Sequence, residues 1–117
     1  MSALLFVLTP DRASYRPGES VTLSLQNSAG SPLGYNLCLS QLRDLNRRLV
    51  DDGNGTFCQS IQRELPPGQV TLSTQRPLPV DLPPGRYLYV TLVQIQGAPT
   101  ESVESALFDV VDESAVR

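Results

Sequence analysis

The stretch LPPGRYLYVTL, Leu82–Leu92, has a shorter counterpart, LPPGQVTL, at Leu65–Leu72, and a relative, YRPGESVTL, at Tyr15–Leu23. Each joins a Pro-Gly pair to a run of alternating apolar residues. Proline holds φ near −65°, which suits the second position of a β-turn, and glycine accepts the positive φ that a type II turn requires next. Pro17-Gly18, Pro67-Gly68 and Pro84-Gly85 are therefore expected to reverse the chain. The residues that follow have a period of two: Val21, Leu23 and Leu25; Val70 and Leu72; Leu88, Val90 and Leu92. That period is the signature of a strand with one buried and one wet face.

Working outward, strands are predicted at 4–8, 20–26, 35–40, 56–63, 69–74, 86–95 and 103–111. Turn signals such as NSAGSPLG at Asn27–Gly34 separate them. About seven short strands at this spacing predict an all-β fold, an antiparallel sandwich or barrel. The 117 residues suit a single domain over 1–111, with DESAVR at 112–117 as a flexible tail. In CLSQLRDLNRRLVDDG the leucines Leu39, Leu42, Leu45 and Leu49 recur at helical spacing, with Ser40 and Gly53 as possible ends. A helix of this length is marginal without packing. A hairpin turning at Asp44–Asn46 is the preferred reading, and a one- or two-turn helix near 40–50 is the alternative.

Composition excludes a good deal of chemistry. All nine basic residues are arginine, and histidine and lysine are absent. There is no imidazole to act as a base or to ligate zinc, no Schiff-base lysine and no P-loop lysine. Paired carboxylates remain as a catalytic option, but the aspartates and glutamates fall in turns, charge clusters and the tail, and tryptophan is absent. The expectation is a non-enzymatic chain without a cofactor or metal. A net charge of −3 argues against nucleic acid, whose binding needs a basic face. No apolar run approaches the ~20 residues of a membrane-spanning helix. The first apolar stretch, Ala3–Leu8, is too short for a signal peptide.

DDGNGT, Asp51–Thr56, places Asp52, Asn54 and Thr56 at alternate positions, as a calcium loop does. Counted from Asp52, however, the required glycine and glutamate are replaced by Phe57 and Arg63. A hairpin turn is the better reading. Asn54-Gly55-Thr56 also fits the N-glycosylation pattern. Cys38 and Cys58 are the only cysteines. Their even number and the extracytoplasmic look of the fold favour a disulfide between them, which on a chain-entropy model stabilises by ~3 kcal/mol. This requires the two segments to be direct neighbours or to face each other across the sandwich, because strands two apart are ~9.5 Å distant.

YRPGESVTLSLQNSAG, LPPGQ and LPPGRYLYVTL, in that order, resemble the bacterial immunoglobulin-like sandwich domains, and their order is similar to that in the intracellular proteinase inhibitor group. The resemblance covers Tyr15–Leu92. It implies an immunoglobulin-like antiparallel β-sandwich, and that Tyr87 is a corner tyrosine whose hydroxyl ties down a loop, with Tyr89 on the same face. Three functional classes follow. The first is a non-catalytic binding or structural module of a bacterial surface, secreted or assembly protein, acting through a protein partner. The second is a protease inhibitor presenting the 43–55 loop, with Arg43, Asn46, Arg47, Arg48, Asp51 and Asp52 as candidate contact residues. The third is a carbohydrate-binding module using Tyr35, Tyr87 and Tyr89.

Overall fold

The computed structural model describes residues 6–36, 40–51, 63–95 and 97–111, with the backbone alone at 73–76. Eleven strands and no helix occur among these residues. In chain order they are β1 Phe6–Pro10, β2 Ser14–Tyr15, β3 Ser20–Asn27, β4 Leu33–Tyr35, β5 Gln41–Asp44, β6 Leu49–Asp51, β7 Arg63–Leu65, β8 Val70–Pro77, β9 Gly85–Ile95, β10 Glu101–Glu104 and β11 Phe108–Val110. They form a β-sandwich. The small sheet has the order β1-β3-β8. In the large sheet β2-β11-β9-β4-β7 is the main path, with β10 and β5 also on β9, and β6 on β5. Pairing is antiparallel except between β2 and β11.

The core forms where the two inner faces meet. Val21, Leu23 and Leu25 of β3 and Leu8 of β1 are buried against Leu33, Leu42, Val93, Phe108 and Val110. Phe108 is held between two tyrosines, with Tyr15 edge-on at 5.2 Å and Tyr89 stacked at 5.9 Å. Such aromatic pairs add to the stabilisation from area burial.

The first two Pro-Gly corners turn as expected. Gly18 and Gly68 have φ of 87° and 76°, and Glu19 N–H and Gln69 N–H donate to Arg16 O and Pro66 O. The third differs. The reversal lies upstream, at Pro79–Leu82, where Leu82 N–H donates to Pro79 O at 3.2 Å. Gly85 already belongs to β9, paired with Val110. Two tertiary contacts select this conformation: the pairing with β11, and a hydrogen bond from the Tyr87 hydroxyl to Pro83 O at 2.7 Å.

Other expectations need correction. The helix alternative for 40–50 does not hold, because β5 and β6 form a hairpin with Leu42 opposite Asp51 and Arg43 opposite Leu49. Of the leucine stripe, Leu42 is buried while Leu45 and Leu49 are each 49% exposed. The strand expected over 103–111 is two strands, broken where Ser105 leaves the ladder to bridge Leu8 of the small sheet. Of Leu88, Val90 and Leu92 on β9, Leu88 is buried and Val90 half-buried as a buried face requires, but Leu92 is 62% exposed, and Tyr87, Tyr89, Thr91 and Val93 of the other parity face the core. YLYVTLV is apolar at both parities, so its period does not determine which side faces inward. Val70 and Leu72 of β8 also face outward. Cys38, Cys58, Asp52, the DDGNG turn beyond Asp51 and the 112–117 tail lie outside the described residues.

Candidate functional site: the anchored hairpin

The candidate contact residues come together only in part. Arg43 lies on β5, Asn46, Arg47 and Arg48 are in the turn, and Asp51 ends β6. Asp44, which was not among the candidates, organises the turn. Its Oδ1 accepts from Asn46 N–H at 2.9 Å and from Arg48 N–H at 3.0 Å, while its carbonyl accepts from Arg47 N–H at 2.9 Å. This local capture of backbone donors is why aspartate favours turns. Arg47 sits at φ 64°, a left-handed conformation that non-glycine residues seldom adopt.

The Arg47 side chain then leaves the hairpin. Nε and Nη2 donate to the two carboxylate oxygens of Glu104 on β10, each at 3.1 Å, and Nη1 donates to Leu45 O at 2.9 Å. The Glu104 hydrogen bonds, followed by its charge, raise the Arg47 pKa, so the guanidinium stays firmly protonated. Arg43 reinforces the turn from inside, with Nη1 donating to Arg47 O at 2.8 Å and Nη2 to Gln41 Oε1 at 2.6 Å. Because β5 and β10 flank β9 on opposite sides, the Arg47–Glu104 pair crosses the outer face of the large sheet. A depression of about 290 Å³ lies there, lined by Arg43, Arg47, Glu104, Val90 and Leu92 among others. Leu45, Leu49 and Val50 of the hairpin remain exposed beside it.

The tyrosines are placed differently. Tyr87 and Tyr89 are buried in the core, and Tyr35 is half-buried with its hydroxyl 3.3 Å from Thr71 Oγ1. Sequence reasoning missed Tyr15. This fully buried ring carries Arg12 4.6 Å above its face, and its hydroxyl donates to Asp11 Oδ1 at 2.5 Å and accepts from Arg12 N–H at 2.9 Å. Burial, and then the bond to Asp11, pushes the Tyr15 pKa up to about 12, while the same bond pulls the Asp11 carboxyl below its usual range. The available signal was a tyrosine two residues before a Pro-Gly turn. Among the described residues no group of histidine, cysteine, aspartate or glutamate is placed to hold a metal ion, and no helix is long and apolar enough to cross a membrane.

No family model matches the chain, and no curated protein is significantly similar to it. Solved structures share the fold. The ApaA protein of Bordetella pertussis superposes with a TM-score of 0.56 at 19% identity, over 92% of each chain. The X-ray structure of a structural-genomics target gives 0.54 at 10% identity, over 96% of this chain and 87% of that one. The sporulation control protein Spo0M of Bacillus subtilis gives 0.51 at 16% identity, over 97% of this chain and 50% of its own. At these identities the likeness concerns the fold.

Proposed function

We propose that this protein is a non-catalytic, immunoglobulin-like binding module that engages a protein partner through the β5–β6 hairpin and the outer face of β9 beside it. One observation carries this reading. A turn held from inside by Asp44 and Arg43 is tied across the sheet by the Arg47–Glu104 pair, and this pre-set support displays Leu45, Leu49 and Val50 to solvent. Exposed apolar side chains on a support that needs no ordering bind at a lower entropic cost. The motif order from Tyr15 to Leu92 supports the immunoglobulin-like assignment, and an extracytoplasmic bacterial setting goes with it.

The protease-inhibitor reading is less well supported. Arg47, the natural residue to insert into a protease pocket, is engaged by Glu104. The carbohydrate reading loses its stacking faces with the burial of Tyr87 and Tyr89. Affinity capture with the wild type and with a Leu45→Asp/Val50→Asp double variant tests the proposal. A protein retained by the first and released by the second supports it. Retention unchanged by the substitutions removes the hairpin from the interface, and cleavage of any substrate by the purified chain overturns the non-catalytic reading.

A further inference from the structure

The outer face of the large sheet has a polar rim around an apolar floor. Gln41 of β5 and Glu104 of β10 lie opposite Val90 from its two sides, and Ser102 lies opposite Leu92. Val90 is half-buried and Leu92 is exposed. Together with Arg43 and Arg47 these residues line the depression of about 290 Å³.

The hydrogen-bonding capacity of the rim is one-sided. A guanidinium has five N–H donors and no acceptor. Arg43 commits two of them, to Arg47 O and Gln41 Oε1, which leaves three. Arg47 commits three, two to Glu104 and one to Leu45 O, which leaves two. Glu104 is the one carboxylate among the described lining residues, and Arg47 already engages both of its oxygens. The lining thus sets two positive charges against one negative, and among the described residues no carboxylate meets Arg43. Arg43 is also half-buried, so its charge is screened less than that of an exposed arginine.

The complement of such a rim is a negatively charged group that only accepts hydrogen bonds. A carboxylate fits the guanidinium fork, as Glu104 does on Arg47. The floor of Val90 and Leu92, with Leu45, Leu49 and Val50 exposed beside it, selects aliphatic neighbours for that carboxylate, since a small free anion would leave this apolar surface wet. On the binding-module reading, on which this rests, we propose that the protein partner presents an acidic-aliphatic peptide segment. An aspartate or glutamate carboxylate of that segment is received by Arg43, and its aliphatic side chains cover Val90 and Leu92.

Fluorescence anisotropy tests this with two labelled, amidated peptides: Leu-Glu-Leu-Glu-Val, and the same sequence with glutamine in place of both glutamates. The acidic peptide should bind saturably, more weakly as salt is raised, and at least ~10-fold tighter than its neutral counterpart. Arg43→Gln should weaken it by a similar factor. Glu104→Gln removes the resident negative charge and should tighten it. The opposite signs matter, because residues that merely support the hairpin would weaken binding in both variants. If Arg43→Gln fails to fold, the direction of the Glu104→Gln change decides. Equal binding of the two peptides, no binding of either up to millimolar concentration, or weakening by Glu104→Gln would overturn the proposal. In that event a captured protein still released by Leu45→Asp/Val50→Asp leaves the binding-module reading standing, and only the carboxylate recognition falls.

Discussion

Arg47 and Glu104, 57 residues apart in sequence, meet through two parallel hydrogen bonds of 3.1 Å that fasten the hairpin tip to the far side of β9. Both side chains are about half exposed, so the pair positions the hairpin more than it stabilises the fold. The expected effect of Glu104→Ala is a nearly unchanged melting temperature with faster amide exchange at Arg47 and Arg48. Exchange rates equal to those of the wild type would show that the pair does not hold the tip.

The strained backbone at Arg47 gives a second comparison. Arg47→Ala loses the Glu104 pair and keeps the left-handed φ, while Arg47→Gly loses the same pair and relieves the strain. The glycine variant should therefore melt a few degrees above the alanine variant. Equal melting temperatures would mean that the turn relaxes when the side chain goes.

Asn27 is fully buried and joins three segments. Its Nδ2 donates to Ser31 O and Leu65 O, and its Oδ1 accepts from Ala29 N–H, each at 2.9 Å. Asn27→Ala leaves these groups unpartnered and should cost ~2–4 kcal/mol. Asn27→Asp should not rescue it, since a carboxylate cannot donate to the two carbonyls. Urea denaturation measures both, and a loss near zero would show that water replaces the amide.

Thr91 presents the opposite case. Its hydroxyl is buried on the inner face of β9 and has no hydrogen-bond partner among the described residues. Thr91→Val removes a desolvated polar group at nearly constant volume, and a gain of ~1 kcal/mol is expected. Destabilisation in the same denaturation experiment would point to an internal water bound to this hydroxyl.

The Asp11–Tyr15 pair makes stability fall at both ends of the pH range. Unfolded tyrosine ionises near pH 10, whereas folded Tyr15 keeps its proton to about 12. Its contribution is whole below about pH 10 and disappears as the pH rises through about 12. The folded Asp11 carboxyl titrates lower than in the unfolded chain. Its contribution is therefore complete above about pH 4 and fades as the pH falls through the folded value. The stability difference between the wild type and Tyr15→Phe should narrow in both windows. A difference independent of pH would remove the coupling.

Particular residues show how far a one-dimensional reading reaches. Val21, Leu23 and Leu25 are apolar at one parity only, and all three are buried as expected. The turns at Gly18 and Gly68 follow from glycine tolerating positive φ next to proline, a property of the dipeptide itself. The hairpin at 41–51 was legible from Asp44–Asn46. Its anchoring was not, because Glu104 lies on a strand that no local signal associates with Arg47. Tyr15 was passed over because its packing against Phe108 depends on β2 lying beside β11, and its partner Asp11 is placed by accepting from Thr22 N–H of β3.

The local chemistry of the chain alone determined that it would form strands, where two of its corners would turn, and which catalytic groups it lacks. Only the tertiary structure decided which face of β9 and β8 turns inward, that the chain reverses upstream of the second LPPG and not at its Pro-Gly, and which arginine is held across the sheet. Turn preference and strand period act over neighbouring residues, whereas inward facing and charge pairing are settled by whatever the far end of the chain brings alongside.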